Sequence, residues 1–264
     1  PIFTARLARI RGDEVEIHSE EDRQAVMDDL QRSTYSVVSV KEGQRRRRPY
    51  APFTTSTLQQ QASYKLRYTT RRTMAVAQQL YEGIDLGDGP IGLITYMRTD
   101  SVNVAEQAQA DARKYVTDEY GEEYLPPEPP QYKTKSKSAQ EAHEAIRPTS
   151  VFRTPESLKK VLDRSQYQLY ELIWRRFVAS QMARAVYDTI AAEIAARPSG
   201  SDEEPPYLFR ASGSTLRFPG FLIVYEEEKD EDEESIEERK REEIPPLTVD
   251  ELLDMVDLLP DQQI

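Results

Sequence analysis

Apolar positions recur with the spacing of strands near both ends of the chain and with that of helices through its centre. Residues 4–10 and 14–18 read as short extended segments around Gly12-Asp13, a hairpin composition. Ser19 followed by Glu20, Glu21 and Asp22 supplies an N-cap and an acidic first turn, predicting a helix to about residue 32. Residues 35–41, rich in Val and Tyr, read as another strand. The arginines at 45–48, with Pro49 and Pro52, read as a charged loop. The period then changes. Thr54 or Ser56 caps a helix carrying Leu58, Ala62 and Leu66; Thr70 caps a second with Met74, Ala77, Leu80 and Tyr81, stopped by Gly83. Residues 91–97 are a short apolar run, extended or irregular. Helical patterns follow at 105–120 (stopped by Gly121), 139–146, 155–162 and 166–182, and Pro155 suits a first helical position. A Pro- and Lys-containing loop is expected at 126–138. Strand patterns return at 185–195, 207–212 and 215–225, with Ser212-Gly213-Ser214 as the turn between the last two; 247–259 is mixed apolar.

These elements predict an α+β, multidomain chain. A discontinuous β-rich domain takes residues 1–53 and 184–264, and a mainly helical domain, 54–183, is inserted into it. With 264 residues and 38% hydrophobic side chains a substantial core is available, although the mean hydropathy of −0.71 implies a large wetted surface. No apolar run of about 18 residues exists, so no membrane-spanning helix is expected. Cysteine is absent, which removes disulfides, thiol nucleophiles and Cys-containing zinc sites, and the two histidines, His18 and His143, cannot build a His-rich metal site. Pro1 in place of Met, and an end at Ile264 straight after a helical pattern, read as an excised piece of a longer protein.

A net charge of −12 argues against DNA as a partner until the charge is located. Residues 1–100 carry 15 basic and 13 acidic side chains, 101–200 carry 14 of each, and 201–264 carry 6 and 20. The excess sits chiefly in 226–243, with 12 acidic and 4 basic residues. This run is read as a solvated loop away from any DNA path. Residues 41–72 hold nine basic side chains and one acid, interleaved with Tyr50, Phe53, Tyr64 and Tyr68. Such a mixture either tracks a nucleic-acid strand or lies in a solvated loop. Tyr167, Tyr170, Trp174 and Phe177 fall at helical spacing and are read as core.

The most informative segment is Gly92-Leu93-Ile94-Thr95-Tyr96-Met97-Arg98-Thr99-Asp100-Ser101. A tyrosine hydroxyl is a weak nucleophile unless a nearby cation, base or metal stabilises the phenolate. Arg98, two residues on, offers a fixed charge to Tyr96 or to a phosphate oxygen; Asp100 could orient it, and Thr95 or Thr99 could donate to an oxyanion. The same letters also suit a strand with a packed Tyr and a solvated turn. The predicted helix at 139–146 extends its spacing to put His143 and Arg147 one turn apart, either gripping a phosphodiester or simply exposed. Gln78 and Glu82 are also one helical turn apart, a polar face in the plainer reading.

Together, Pro52–Gln60, Ala77–Gly83, Ile94–Ser101 and Ala142–Thr149 make the sequence resemble the type IA DNA topoisomerases, over about residues 50–225 and in the family's order. Met97 and the Glu-Ala-Ile-Arg after His143 favour the bacterial topoisomerase I branch; reverse gyrase shares the motifs. The resemblance implies that Tyr96 attacks single-stranded DNA to form a 5′-phosphotyrosyl link. It implies that Arg98 and His143 attend the phosphate, and that Gln78, Glu82, Thr95, Thr99 and Asp100 form the shell around them. Arg147, Arg71 and Arg72 are further candidates for DNA contact. It also implies Mg²⁺ held by an upstream Toprim domain that this chain lacks, with none bound by the chain itself. Asp230–Glu234 matches Asp-x-Asp-x-Glu only by letter, inside an acidic run without a preceding apolar strand. By the same resemblance the β-rich arch and the helical domain form much of a gated toroid around DNA. The protein would be a cytoplasmic, nucleoid-associated monomer needing no membrane, and this piece would be inactive alone. Two other classes are weighed. Tyrosine recombinases and type IB topoisomerases place their Arg and His residues before the Tyr, the reverse of the order here. A non-catalytic nucleic-acid-binding module would leave Tyr96 merely packed.

Overall fold

The computed structural model describes residues 2–87, 89–132, 143–199, 206–226 and 244–260. Its described residues divide into two compact units. One draws on Pro1–Arg45, Tyr187–Arg217 and Glu231–Ile264, the other on Arg46–Val186 and Phe218–Asp230. Residues 218–226, expected with the β-rich part, therefore pack with the helices. Partners distant in sequence draw them there: Phe221 is fully buried against Tyr50, and Tyr225 packs edge-on to Phe53 and reaches Gln61.

The first unit is a six-stranded sheet with one helix. Strands β1 (Arg6–Ile10), β2 (Asp13–Glu14), β3 (Ser33–Arg47), β6 (Ala185–Pro198), β7 (Tyr207–Phe218) and β8 (Leu252–Leu253) lie in the order β2-β1-β7-β6-β3-β8. The pairs β1–β2, β1–β7 and β3–β8 are antiparallel. Ser19 caps α1 (Glu20–Gln31) as its sequence implies, its side chain accepting from the Asp22 backbone. Leu30, Tyr35, Val37, Ile194, Tyr207, Phe209 and Leu247 are among the residues that form the core. Burial, with a hydrogen bond to Asp29, pushes the Tyr207 hydroxyl up to about 12.

Three expectations change here. Arg45–Arg47 belong to β3 and not to a loop, because the strand continues alongside β6, with Gln44 donating to Asp188 and Arg45 lying over the Tyr187 ring. Ser212-Gly213-Ser214 is not a turn: β7 runs through it, and Gly213 is buried without the positive φ of a tight turn. Of the extended segment expected at 14–18 only Glu14 pairs, within β2, and the mixed segment at 247–259 holds only the short β8.

The second unit is helical. It contains α2 (Thr55–Leu66), α3 (Thr70–Glu82), α4 (Glu106–Tyr120), α5 (Pro155–Leu158) and α6 (Arg164–Ser180), with the small hairpin β4 (Ile84–Asp85) and β5 (Pro90–Ile91). Thr54 caps α2 in a reciprocal box with Thr57, and Asp163 does the same with Gln166 for α6. The cap of α3 is Thr69 rather than Thr70. Tyr170, Trp174 and Phe177 lie on the inward face of α6 as their spacing predicts, with Leu169 and Ile173, whereas Tyr167 is only half-buried and its hydroxyl donates to Glu156. Burial raises the hydroxyl of Tyr170, which donates to the Arg153 carbonyl. Phe53 and Tyr68 are also buried, so neither ring is a stacking platform for bases.

Candidate active site

Tyr96 stands on an irregular extended segment that the helical unit grips from two sides. On one side, Ile94 pairs with Pro148 in an isolated antiparallel bridge, Thr95 N donates to the Arg147 carbonyl at 2.9 Å, and Thr149 N donates to Leu93 O at 2.9 Å. On the other, the Thr55 hydroxyl at the start of α2 donates to Met97 O at 2.7 Å and accepts from Thr99 N at 2.9 Å. The end of α3 adds a third tie, Leu93 N to Leu80 O at 2.7 Å.

Within this frame burial alternates. Met97, Thr99 and Ser101 are 1%, 7% and 1% exposed, while Tyr96, Arg98 and Asp100 lie between them on the solvent side. That is the period of extended backbone, so the anchoring of one set presents the other. Tyr96 is 43% exposed. Its ring meets Tyr81 of α3 edge-on, centroids 5.3 Å apart. Among the described residues no hydrogen bond or ion pair engages the Tyr96 hydroxyl, the Arg98 guanidinium, the Asp100 carboxylate or His143. Asp100 thus does not orient Arg98 by an ion pair; both polar ends are open to a ligand.

The Thr95 hydroxyl gives its proton to a backbone carbonyl, and the Thr99 hydroxyl accepts within its own segment. The Thr95 hydroxyl donates to Ala145 O at 2.7 Å and accepts from Arg147 N at 3.0 Å. The buried Thr99 hydroxyl accepts from Ser101 N at 3.0 Å. The Thr95 bonds tie the segment to its neighbour, and the Thr99 bond braces the segment internally.

The segment around His143 corrects the helix expected at 139–146; residues 139–142 lie outside the described ones. Ala145, Ile146 and Arg147 donate their N–H groups to Asn103 O, Phe53 O and the Thr95 hydroxyl, all distant in sequence. These three N–H groups are therefore not available for helical bonds. Pro148 also disfavours helical backbone at Arg147. His143 and Arg147 therefore do not share a helix face. His143 is exposed, two residues before the carbonyl held by Thr95. Arg147 is half-buried, pairing with Glu144 and donating to Pro148 O. Gln78 donates to Glu82 Oε1 at 2.5 Å on α3, whose Tyr81 reaches Tyr96. Arg71 is exposed at the far end of α3; Arg72 lies over the Tyr68 ring and donates to Ser165.

Sequence reasoning passed over Thr55 and Tyr81. Both lay within quoted motifs, but a hydroxyl bridging residues more than forty positions away leaves no local signal. Among the described residues no group of three or more His, Asp or Glu stands ready for a metal ion, and residues 230–234 lie outside them. The same holds of most of the acidic run at 226–243: only Glu226 is described, its carbonyl accepting from Lys65.

Tyr96 and Arg98 are thus both exposed on the solvent side of a backbone clamped at both edges. Comparison with known proteins gives the class. A family model described as DNA topoisomerase matches residues 4–263. DNA topoisomerase 1 of Rickettsia felis is 44% identical over 264 residues, covering 99% of this chain and 33% of that protein. DNA topoisomerase 1 of Rickettsia bellii is 42% identical with similar coverage. Full-length topoisomerase I from Thermotoga maritima is similar in structure, with a TM-score of 0.72 and 34% identity over 94% of this chain and 36% of that one. The chain belongs to the DNA topoisomerase family, type IA, in its bacterial topoisomerase I branch. It spans about a third of the length of these relatives.

Proposed function

We propose that this chain is the nucleophile-bearing part of a type IA DNA topoisomerase that relaxes negative supercoils. The observation that carries the reading is that Tyr96 and Arg98, neither in a hydrogen bond or ion pair among the described residues, are both exposed on one side of a segment held by Thr55 and Thr95. A single DNA strand lies with one phosphodiester against Tyr96. The Tyr96 Oη bonds to phosphorus, the bond from phosphorus to the 3′-oxygen breaks, the phenolic proton leaves and the 3′-oxygen departs as a hydroxyl. Arg98 holds charge on the non-bridging oxygens, and His143 lies near the same phosphate. The tyrosyl ester keeps the phosphodiester energy. After a strand has passed through the gate, the reverse reaction restores the DNA, so no nucleotide is consumed.

Mg²⁺ and its carboxylates belong, in this reading, to the Toprim part outside the chain. The whole enzyme is taken to be a monomer acting on bacterial DNA in the cytoplasm, at the nucleoid. None of the described helices is long and apolar enough to cross a membrane. Alone the chain is expected to show no relaxation activity.

The test supplies the chain with the upstream metal-binding part, Mg²⁺ and an end-labelled single-stranded oligonucleotide, then traps the adduct with denaturant. The expected product is protein joined to the 5′ side of the break, lost in Tyr96→Phe. An adduct that survives Tyr96→Phe would overturn the nucleophile; a 3′ linkage would overturn the class.

A further inference from the structure

Cations gather where the α2–α3 corner meets the start of α6. Arg67 closes α2 in the left-handed conformation, with φ of 57°. Arg71 and Arg72 occupy the first turn of α3, Arg164 opens α6, and Lys159 and Lys160 lie in the turn before it. The junction is built by side chains. Arg72 lies 4.1 Å from the centre of the Tyr68 ring and donates to the Ser165 hydroxyl at 2.8 Å. The Tyr68 hydroxyl donates to Gln168 at 3.0 Å, and Gln166 donates to Gln79 at 3.2 Å.

Two acids lie close by in sequence, and both are engaged. Asp163 accepts from the N–H groups of Ser165 and Gln166, and Glu156 accepts from the Tyr167 hydroxyl. Arg67, Arg71, Lys159, Lys160 and Arg164 are exposed, and among the described residues none of them is in an ion pair. The N-termini of α3 and α6, joined by the Arg72–Ser165 bond, add their own partial positive charge.

This face is linked to the tyrosine by a single rigid element. Tyr81, near the other end of α3, touches Tyr96. The helix rise from Arg71 to Tyr81 is about 15 Å. Along a single strand, whose phosphates stand farther apart than the about 3.4 Å per strand of duplex DNA, that is a run of a few phosphates. Tyr68 is only 3% exposed beneath Arg72, so no ring is offered to a base there and contact is with the backbone.

We propose that this basic face binds the sugar–phosphate backbone of the single DNA strand that Tyr96 engages, a few nucleotides from the reacting phosphate. Its register rests on the proposed role of Tyr96; the affinity of the face for a strand does not. The probe is a fluorescein-labelled oligothymidylate of about twelve nucleotides, titrated with the chain by anisotropy at several salt concentrations. Arg71→Glu combined with Arg164→Glu is expected to weaken binding about tenfold or more at low salt. The slope of log affinity against log salt should shrink by about 1.4, at about 0.7 for each of the two phosphates no longer neutralised. Arg23→Glu, a charge reversal on α1 of the sheet unit, is expected to leave affinity within about twofold.

Circular dichroism checks that each variant folds, and Arg71→Gln with Arg164→Gln replaces any reversal that does not. Unchanged affinity and slope in the folded double variant overturn the proposal, as does absence of binding by the unsubstituted chain at low salt. A duplex of equal length that binds more tightly and loses more overturns the assignment to a single strand. Failure of the Tyr96 adduct test would leave these binding results standing, so the two failures are distinguishable.

Discussion

Tyr96 is presented to solvent by its neighbours. Met97, Thr99 and Ser101 are drawn inward, and Thr95 ties the backbone beside the ring to two backbone groups of the 145–147 segment. Removing that hydroxyl leaves Ala145 O without its donor and Arg147 N without its acceptor. Thr95→Val, close in volume, is therefore expected to cost about 1–3 kcal/mol of unfolding free energy. Thr95→Ser should recover most of it. Denaturant unfolding of the two variants checks this, and equal stability of Thr95→Val and the parent would show that the bridge contributes nothing. The candidate nucleophile and its arginine were legible from their motif. The duty of Thr95 was not: a threonine that could donate to an oxyanion and one that holds a distant carbonyl are the same letter.

At the scale of elements, ends marked by local chemistry were readable and interiors set by distant partners were not. Ser19, Thr54, Gly83 and Gly121 mark helix boundaries through hydrogen bonds within one turn. The segment after His143 has helical letters and extended backbone, because Phe53, Thr95 and Asn103 claim its N–H groups. Gly92 shows how tightly the pieces meet. A Cβ there would stand 2.8 Å from the Tyr81 carbonyl oxygen, a backbone atom of α3 that cannot swing aside. Gly92→Ala should push the segment off α3, strain the Leu93–Leu80 bond and cost about 1–3 kcal/mol. It should also slow adduct formation more than Gly87→Ala, since an added Cβ at Gly87 meets open space although its φ is 110°. Thermal unfolding and the oligonucleotide-trapping assay check both effects; a slower Gly87→Ala would show that backbone strain outweighs the contact with α3.

For the whole molecule, a charge of −12 coexists with membership of a DNA enzyme family because the charge is uneven. Removing residues 227–243, eleven acids and four bases, is expected to leave oligonucleotide affinity within about twofold at physiological salt, where charges beyond about 8 Å are screened. Glu226 stays in that deletion, because its carbonyl accepts from Lys65 and its carboxylate lies near Arg47. A large change in the anisotropy titration would place the run against the strand. Read alone, the chain's letters were enough for the family, the candidate nucleophile, most helix ends and the location of the acid. Those depend on residue type and on spacing within a turn or a motif. Folding decided that 218–226 pack with the helices, that His143 leaves the helix face of Arg147, and that Tyr81 meets Tyr96. Each of these rests on contacts between residues far apart in the chain, whose energies no local pattern encodes.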